Sequence, residues 1–156
     1  MTQGHENQET PLSAAPIAAD RDALLLVLRD TLSPWRMRLT DEQEALCFAH
    51  YSAVVETNRV MNLTRITSPQ QAAIRHYADS MALVAWAASA GLSGPLRLLD
   101  VGTGAGFPAI PLGIMRNDWR ITAMDGTGKK AAFVRKVALE LKLAHVTALH
   151  ARADHS

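Results

Sequence analysis

Apolar residues change their spacing once along this chain, near Ser93. Before that point they recur every three to four positions, as on one face of a helix. The stretch DRDALLLVLRDTL predicts a helix from Asp20 to Leu32, closed by Ser33-Pro34 because proline disfavours helical backbone in the residue before it. Thr40 and Gln43 form a capping-box pair that opens a second helix. Its apolar face is supplied by Ala45, Leu46, Phe48, Ala49, Tyr51, Val54 and Val55, and it fades near Asn58. Ser68 before Pro69 starts a third helix, which runs to about Ala90 and is ended by Gly91.

Beyond the turn SGP the pattern becomes short solid apolar runs alternating with helical ones. LRLLDV (Leu96 to Val101), WRITAMD (Trp119 to Asp125) and HVTALHA (His145 to Ala151) predict three buried strands. PAIPLGIMR and KKAAFVRKVALELKL (Lys129 to Leu143) predict helices between them. Strand, helix, strand, helix, strand is the βαβαβ half of a doubly wound parallel α/β fold. The expected layout is a disordered tail over 1–19, a helical N-terminal cap over 20–92 and a partial Rossmann-like core over 93–156.

Composition narrows the class without naming a partner. The 156 residues carry 16 Lys and Arg against 15 Asp and Glu, a net charge of +1, so charge neither requires nor excludes nucleic acid. A single cysteine, Cys47, rules out a disulfide framework and a cysteine-built metal site, and it makes a reducing cytoplasm the expected location. The longest nearly apolar segment, around Met81 to Leu92, is too short to span a bilayer, and no signal peptide is apparent.

The chemistry concentrates where the first predicted strand ends, in DVGTGAGFPAIPL. Gly102, Gly104 and Gly106 suit a tight turn, a close backbone approach to a ligand and close packing of the next helix. Two ligand classes use such turns. Sliding the frame to Gly104-x-Gly106-x-x-Ala109 permits a nicotinamide dinucleotide, but that frame starts late relative to the strand and leaves Asp100 without a role. The pattern D-x-G-x-G-x-G from Asp100 to Gly106 resembles the S-adenosylmethionine loop of class I methyltransferases. That cofactor carries an amino group and a sulfonium, which favour nearby carboxylates. Asp125 ends the second strand, where in either fold an acid accepts hydrogen bonds from ribose hydroxyls.

Read together, RHYADS (Arg75 to Ser80), NLT (Asn62 to Thr64) with Asn58, the glycine loop with Phe107-Pro108 and Pro111, GKK (Gly128 to Lys130) and RAD (Arg152 to Asp154) resemble the RsmG (GidB) family. The resemblance runs from roughly Leu39 to Asp154. Thr57, Ala109 and Gly126-Thr127 depart from the residues usual in that family at those positions. The resemblance implies a class I S-adenosylmethionine-dependent enzyme that methylates guanine N7 in small-subunit ribosomal RNA. It implies that Gly102, Gly104, Gly106 and Phe107 line the cofactor pocket, that Asp125 faces the ribose, and that Ala153 and Asp154 sit near the adenine. It suggests that RHYADS borders the cleft; a plain surface pair between His76 and Asp79 is the competing reading.

Guanine N7 presents a lone pair and carries no proton, so no general base and no catalytic acid are assigned. Contact with ribosomal RNA or the ribosomal subunit would fall to Arg65, Arg75, Lys129, Lys130, Arg135 and Lys136, although a solvated helix face is the simpler reading for the last four. Only three strands precede the end of the chain at Ser156, fewer than a doubly wound sheet uses. The expectation is therefore a member truncated at its C-terminus, with a monomer expected of the full-length form. A non-catalytic remnant that binds cofactor or RNA weakly is the alternative function.

Overall fold

The computed structural model describes residues 15–154. The cap is built from three helical runs. Helix α1 (Ala18–Leu32) buries Leu24, Leu25, Leu28 and Leu32, and a short 3-10 turn (Ser33–Trp35) carrying Pro34 follows it. It begins two residues earlier than the sequence pattern predicts, because the Ile17 N–H donates to the Asp20 carboxylate at 2.8 Å and fixes the first turn. Ala18 and Ala19 are thus helical and not part of a tail, while residues 1–14 of the expected tail lie outside the described residues.

Helix α2 (Asp41–Asn58) opens on the expected capping box: Gln43 N–H donates to Thr40 Oγ1 at 3.1 Å and Thr40 N–H to Gln43 Oε1 at 2.9 Å. Arg29 grips Glu44 through two bonds, of 2.7 and 2.6 Å, and ties α1 to α2. Arg29 is the larger influence holding the Glu44 carboxyl below its ordinary pKa, against the opposing effect of burial.

The third run is one continuous helix of three parts: α3 (Pro69–Ala72), a π-helical turn (Ala73–Ala78) and α4 (Asp79–Ser89). Ser68 caps it as expected, accepting from Gln71 N–H at 3.3 Å. Gly91, at φ +78°, ends it while Leu92 N–H reaches back to Ala87 C=O at 2.8 Å. The π-helical turn was not legible in the apolar spacing. Such widened turns are frequent at functional sites, and this one carries His76 and Tyr77.

Strands β1 (Arg97–Val101), β2 (Arg120–Asp125) and β3 (Val146–His150) form a parallel sheet in the order β1-β2-β3. Leu98 pairs with Ile121, Asp100 with Ala123, and Ala123 with Ala148. Helices α5 (Ala109–Met115) and α6 (Gly128–Glu140) are the crossovers. Both crossovers step the same way along the sheet, so right-handedness puts both helices on one face. That face carries Ile121, Ala123, Val146 and Ala148, all buried. On the other, Leu99 is 57% and Val101 56% exposed. The cap and the sheet share one hydrophobic core, in which Tyr77 and Met81 of the third run join Ile110, Leu112 and Val134 of α5 and α6.

No described helix is long and apolar enough to cross a membrane.

Candidate cofactor-binding site

The chain leaves β1 at Val101 and turns immediately. Gly102, Gly104 and Gly106 all hold positive φ, at +77°, +59° and +95°, a region that side chains with a Cβ rarely enter. Gly102 and Gly104 border open space: a Cβ built on either meets no atom within 4 Å. Gly106 is different. A Cβ there would lie 2.7 Å from Ile110 Cγ1, so this glycine admits close packing of α5 beneath the loop.

The loop's backbone amides are almost all engaged. Gly102 and Thr103 N–H donate to Met124 C=O at 2.8 and 3.0 Å, and Gly106 and Phe107 N–H donate to Thr103 C=O at 3.0 and 3.1 Å. Gly104 N–H donates to Asp125 Oδ2 at 2.9 Å. Asp125 Oδ1 accepts from Thr127 N–H at 2.8 Å, so this one carboxylate couples the end of β2 to the loop after β1. Burial works to raise its pKa, but the Thr127 and Gly104 amides and nearby Lys130 outweigh it, and the group lies below the ordinary carboxylate value. An ionised carboxylate has about four acceptor positions, so Asp125 retains capacity for further donors.

Asp100 has a different task. Its Oδ2 accepts from Ala109 N–H at 3.1 Å, at the start of α5. Burial raises its carboxyl above the ordinary value. A carboxyl group therefore already fills the helix N-terminus, where a dinucleotide's pyrophosphate would need to sit. The frame Gly104-x-Gly106-x-x-Ala109 fails on this point, and again because Gly106 is buried against Ile110.

Phe107 is half-buried in an aromatic cluster supplied by the cap. The His76 ring stacks on it at 4.2 Å between centroids and 9° between planes, and His50 and Tyr77 lie 4.9 and 5.2 Å away. His76 Nε2 is 2.9 Å from Thr64 Oγ1. Thr64 belongs to the NLT segment, whose Leu63 and Thr64 N–H groups donate to Asn58 Oδ1 at 2.8 and 3.0 Å. Asn58, NLT and RHYADS thus form one connected support beneath the loop. The surface pair between His76 and Asp79 is not formed: the His76 ring is bonded to Thr64, and Asp79 is exposed. Burial lowers the His76 pKa, and Asp79 only partly offsets this.

Ala153 and Asp154 follow β3 and are exposed, with no hydrogen-bond partner for the Asp154 side chain among the described residues. They are linked to the loop indirectly, through Ala151 N–H donating to Asp125 C=O at 3.0 Å. Of the basic residues, Arg65, Arg75 and Lys129 are exposed. Arg135 donates to Ala148 C=O at 3.2 Å, and Lys136 lies 3.9 Å from Glu140. These two belong to the scaffold and the solvated face of α6.

Sequence reasoning missed His50, and gave Tyr77, within RHYADS, no role of its own. A signal existed: His50 falls on the apolar stripe of α2, one turn after Cys47 and one before Val54, an unusual place for an imidazole.

Comparison with known proteins gives a consistent picture. The family model described as rRNA small subunit methyltransferase G (GidB) matches residues 43–156. A ribosomal RNA small subunit methyltransferase G of Leptothrix cholodnii is 39% identical over 135 residues, covering 86% of this chain and 60% of that protein. Its counterpart in Methylibium petroleiphilum is 35% identical over 92% of this chain and 64% of that protein. The one from Solibacter usitatus is 44% identical over 67% of this chain and 48% of its own length. The chain thus spans about half to two thirds of the length of these relatives.

Proposed function

This chain belongs to the rRNA small subunit methyltransferase G (GidB) family, and on that premise we propose that it forms the S-adenosylmethionine-binding part of an enzyme that methylates guanine N7 in small-subunit ribosomal RNA. The observation that carries this reading is the coupling of Gly104 N–H to Asp125 beside a loop whose open side is formed by Gly102 and Gly104. The fit to the cofactor is physical. Side chains at 102 and 104 would fill the space above the loop, and Asp125 stays ionised with acceptor positions left for two ribose hydroxyls. Hydrogen bonds to a charged acceptor contribute about 1.5–3 kcal/mol each. Ala153 and Asp154, at the end of β3, are the candidates for the adenine edge.

When bound, the cofactor supplies an electrophilic methyl group on a positively charged sulfur. The protein's part is to hold that group in line with the attacking nitrogen and to keep water away. Guanine N7 needs no deprotonation, so the site requires no general base and none is assigned. Arg65, just after the NLT segment, and Arg75, the first residue of RHYADS, are exposed and are the residues we assign to RNA phosphates. A cytoplasmic location follows from the ribosomal substrate.

The test is methyl transfer by the protein to small ribosomal subunits isolated from cells that lack the activity. Label from S-adenosylmethionine should enter one guanine, and strand cleavage specific for 7-methylguanine should map there. Label on another base, or on none, would contradict the proposal.

A further inference from the structure

We propose that His50 is a positioning residue for the cofactor loop, an imidazole that sets the Ala105–Gly106 peptide from below. This rests on the reading of the loop as a cofactor site. His50 is completely buried in α2, and both ring nitrogens are used. Nε2 lies 2.8 Å from Ala105 C=O, which can only accept, so Nε2 carries the proton. Nδ1 is then the acceptor, and the Tyr77 hydroxyl, 3.0 Å away, donates to it. Tyr77 thereby selects the tautomer that can hold the loop.

The Ala105–Gly106 peptide unit is gripped on both sides. Its carbonyl is held by His50, and its N–H donates to Thr103 C=O at 3.0 Å. Turning this unit over would break both bonds and leave a buried carbonyl unpaired. The clamped unit lies two peptide bonds after the Gly104 N–H that bonds to Asp125. His50 also contacts the aromatic ring of Phe107 and would lie 3.4 Å from a Cβ at Gly106, so it limits the loop from two directions. A helical cap residue far from the sheet in sequence thus sets the shape of the ligand-facing turn.

The test compares wild type with His50→Leu, His50→Gln and Tyr77→Phe, each checked for folding by circular dichroism. Two readouts are used: affinity for S-adenosylmethionine, and hydrogen exchange at the Gly106 and Phe107 amides without ligand. In His50→Leu the dissociation constant should rise about tenfold, the equivalent of one buried hydrogen bond. Exchange at the two loop amides should speed up while that of α6 amides stays as in wild type. His50→Gln, which keeps a donor for Ala105, should restore most of both. Tyr77→Phe, which keeps the packing, should show a smaller rise of the same kind and serves alone if His50→Leu does not fold. Loop exchange and affinity unchanged in Tyr77→Phe and in any folded His50→Leu would overturn the proposal, as would a uniform loss of protection across the chain. If wild type binds no S-adenosylmethionine yet loop exchange responds as stated, the cofactor reading fails and the clamp stands.

Discussion

Replacing Gly106 by alanine tests how the loop is built. Two costs add at this position. The residue holds φ +95°, and leaving glycine in the left-handed region costs about 1–2 kcal/mol. The new Cβ would also come within 2.7 Å of Ile110 Cγ1. Ile110 is fully buried and cannot swing away, so overpacking adds about 1–3 kcal/mol. The expected loss for Gly106→Ala is therefore about 2–5 kcal/mol, which at this chain length lowers the melting temperature by about 2–4 °C per kcal/mol. Gly104→Ala is the matched control, because its φ is +59° and its Cβ would meet no atom within 4 Å. It should cost only about 1 kcal/mol. Urea unfolding of the two variants beside wild type measures the difference directly. Equal losses in both would refute the packing argument, and a stable Gly106→Ala would refute the loop geometry.

Three further outcomes follow from the same contacts. Asp125→Ala removes the acceptor of the Gly104 and Thr127 amides; affinity for S-adenosylmethionine should fall at least about tenfold, and titration that shows wild-type affinity would contradict the role assigned to this acid. Asn58→Ala strips the acceptor from the Leu63 and Thr64 amides and should cost about 1–3 kcal/mol in urea unfolding; a loss below about 0.5 kcal/mol would show that the NLT segment is held by other means. Burial pulls the His50 pKa down from 6.5 to about 4. Between those values the unfolded chain takes up a proton that the folded one refuses, so stability is complete above pH 6.5 and declines as pH falls towards 4, by up to about 3 kcal/mol in all. His50→Gln has no titrating group there, and its acid decline should be shallower by that amount; parallel curves for the two proteins would contradict a neutral buried imidazole.

Much of the architecture is legible in the sequence. The change from helical spacing to short apolar runs marked the join between cap and sheet, and the Thr40 and Ser68 caps are local chemistry written in adjacent residues. The glycine loop was legible for the same reason, since positive φ at three positions demands glycine where it stands. What escaped depends on partners distant in sequence. The His50 ring acquires meaning only through Ala105, 55 residues on, and through Tyr77. The π-helical turn over Ala73–Ala78 has no composition signal, because AIRHYA suits an ordinary helix equally well. The sequence suggests Asp100 for its charge near a ligand, yet the Ala109 N–H takes it up within nine residues. The resemblance points to Phe107 as pocket wall; what the structure shows is its stacking on His76, which joins cap and loop.

The most direct test of the central claim is calorimetric titration of the purified chain with S-adenosylmethionine, with NAD as control. Saturable binding of S-adenosylmethionine, weakened in Asp125→Ala and absent with NAD, is the predicted result. A folded chain that binds NAD and not S-adenosylmethionine, or that binds neither, would contradict the account.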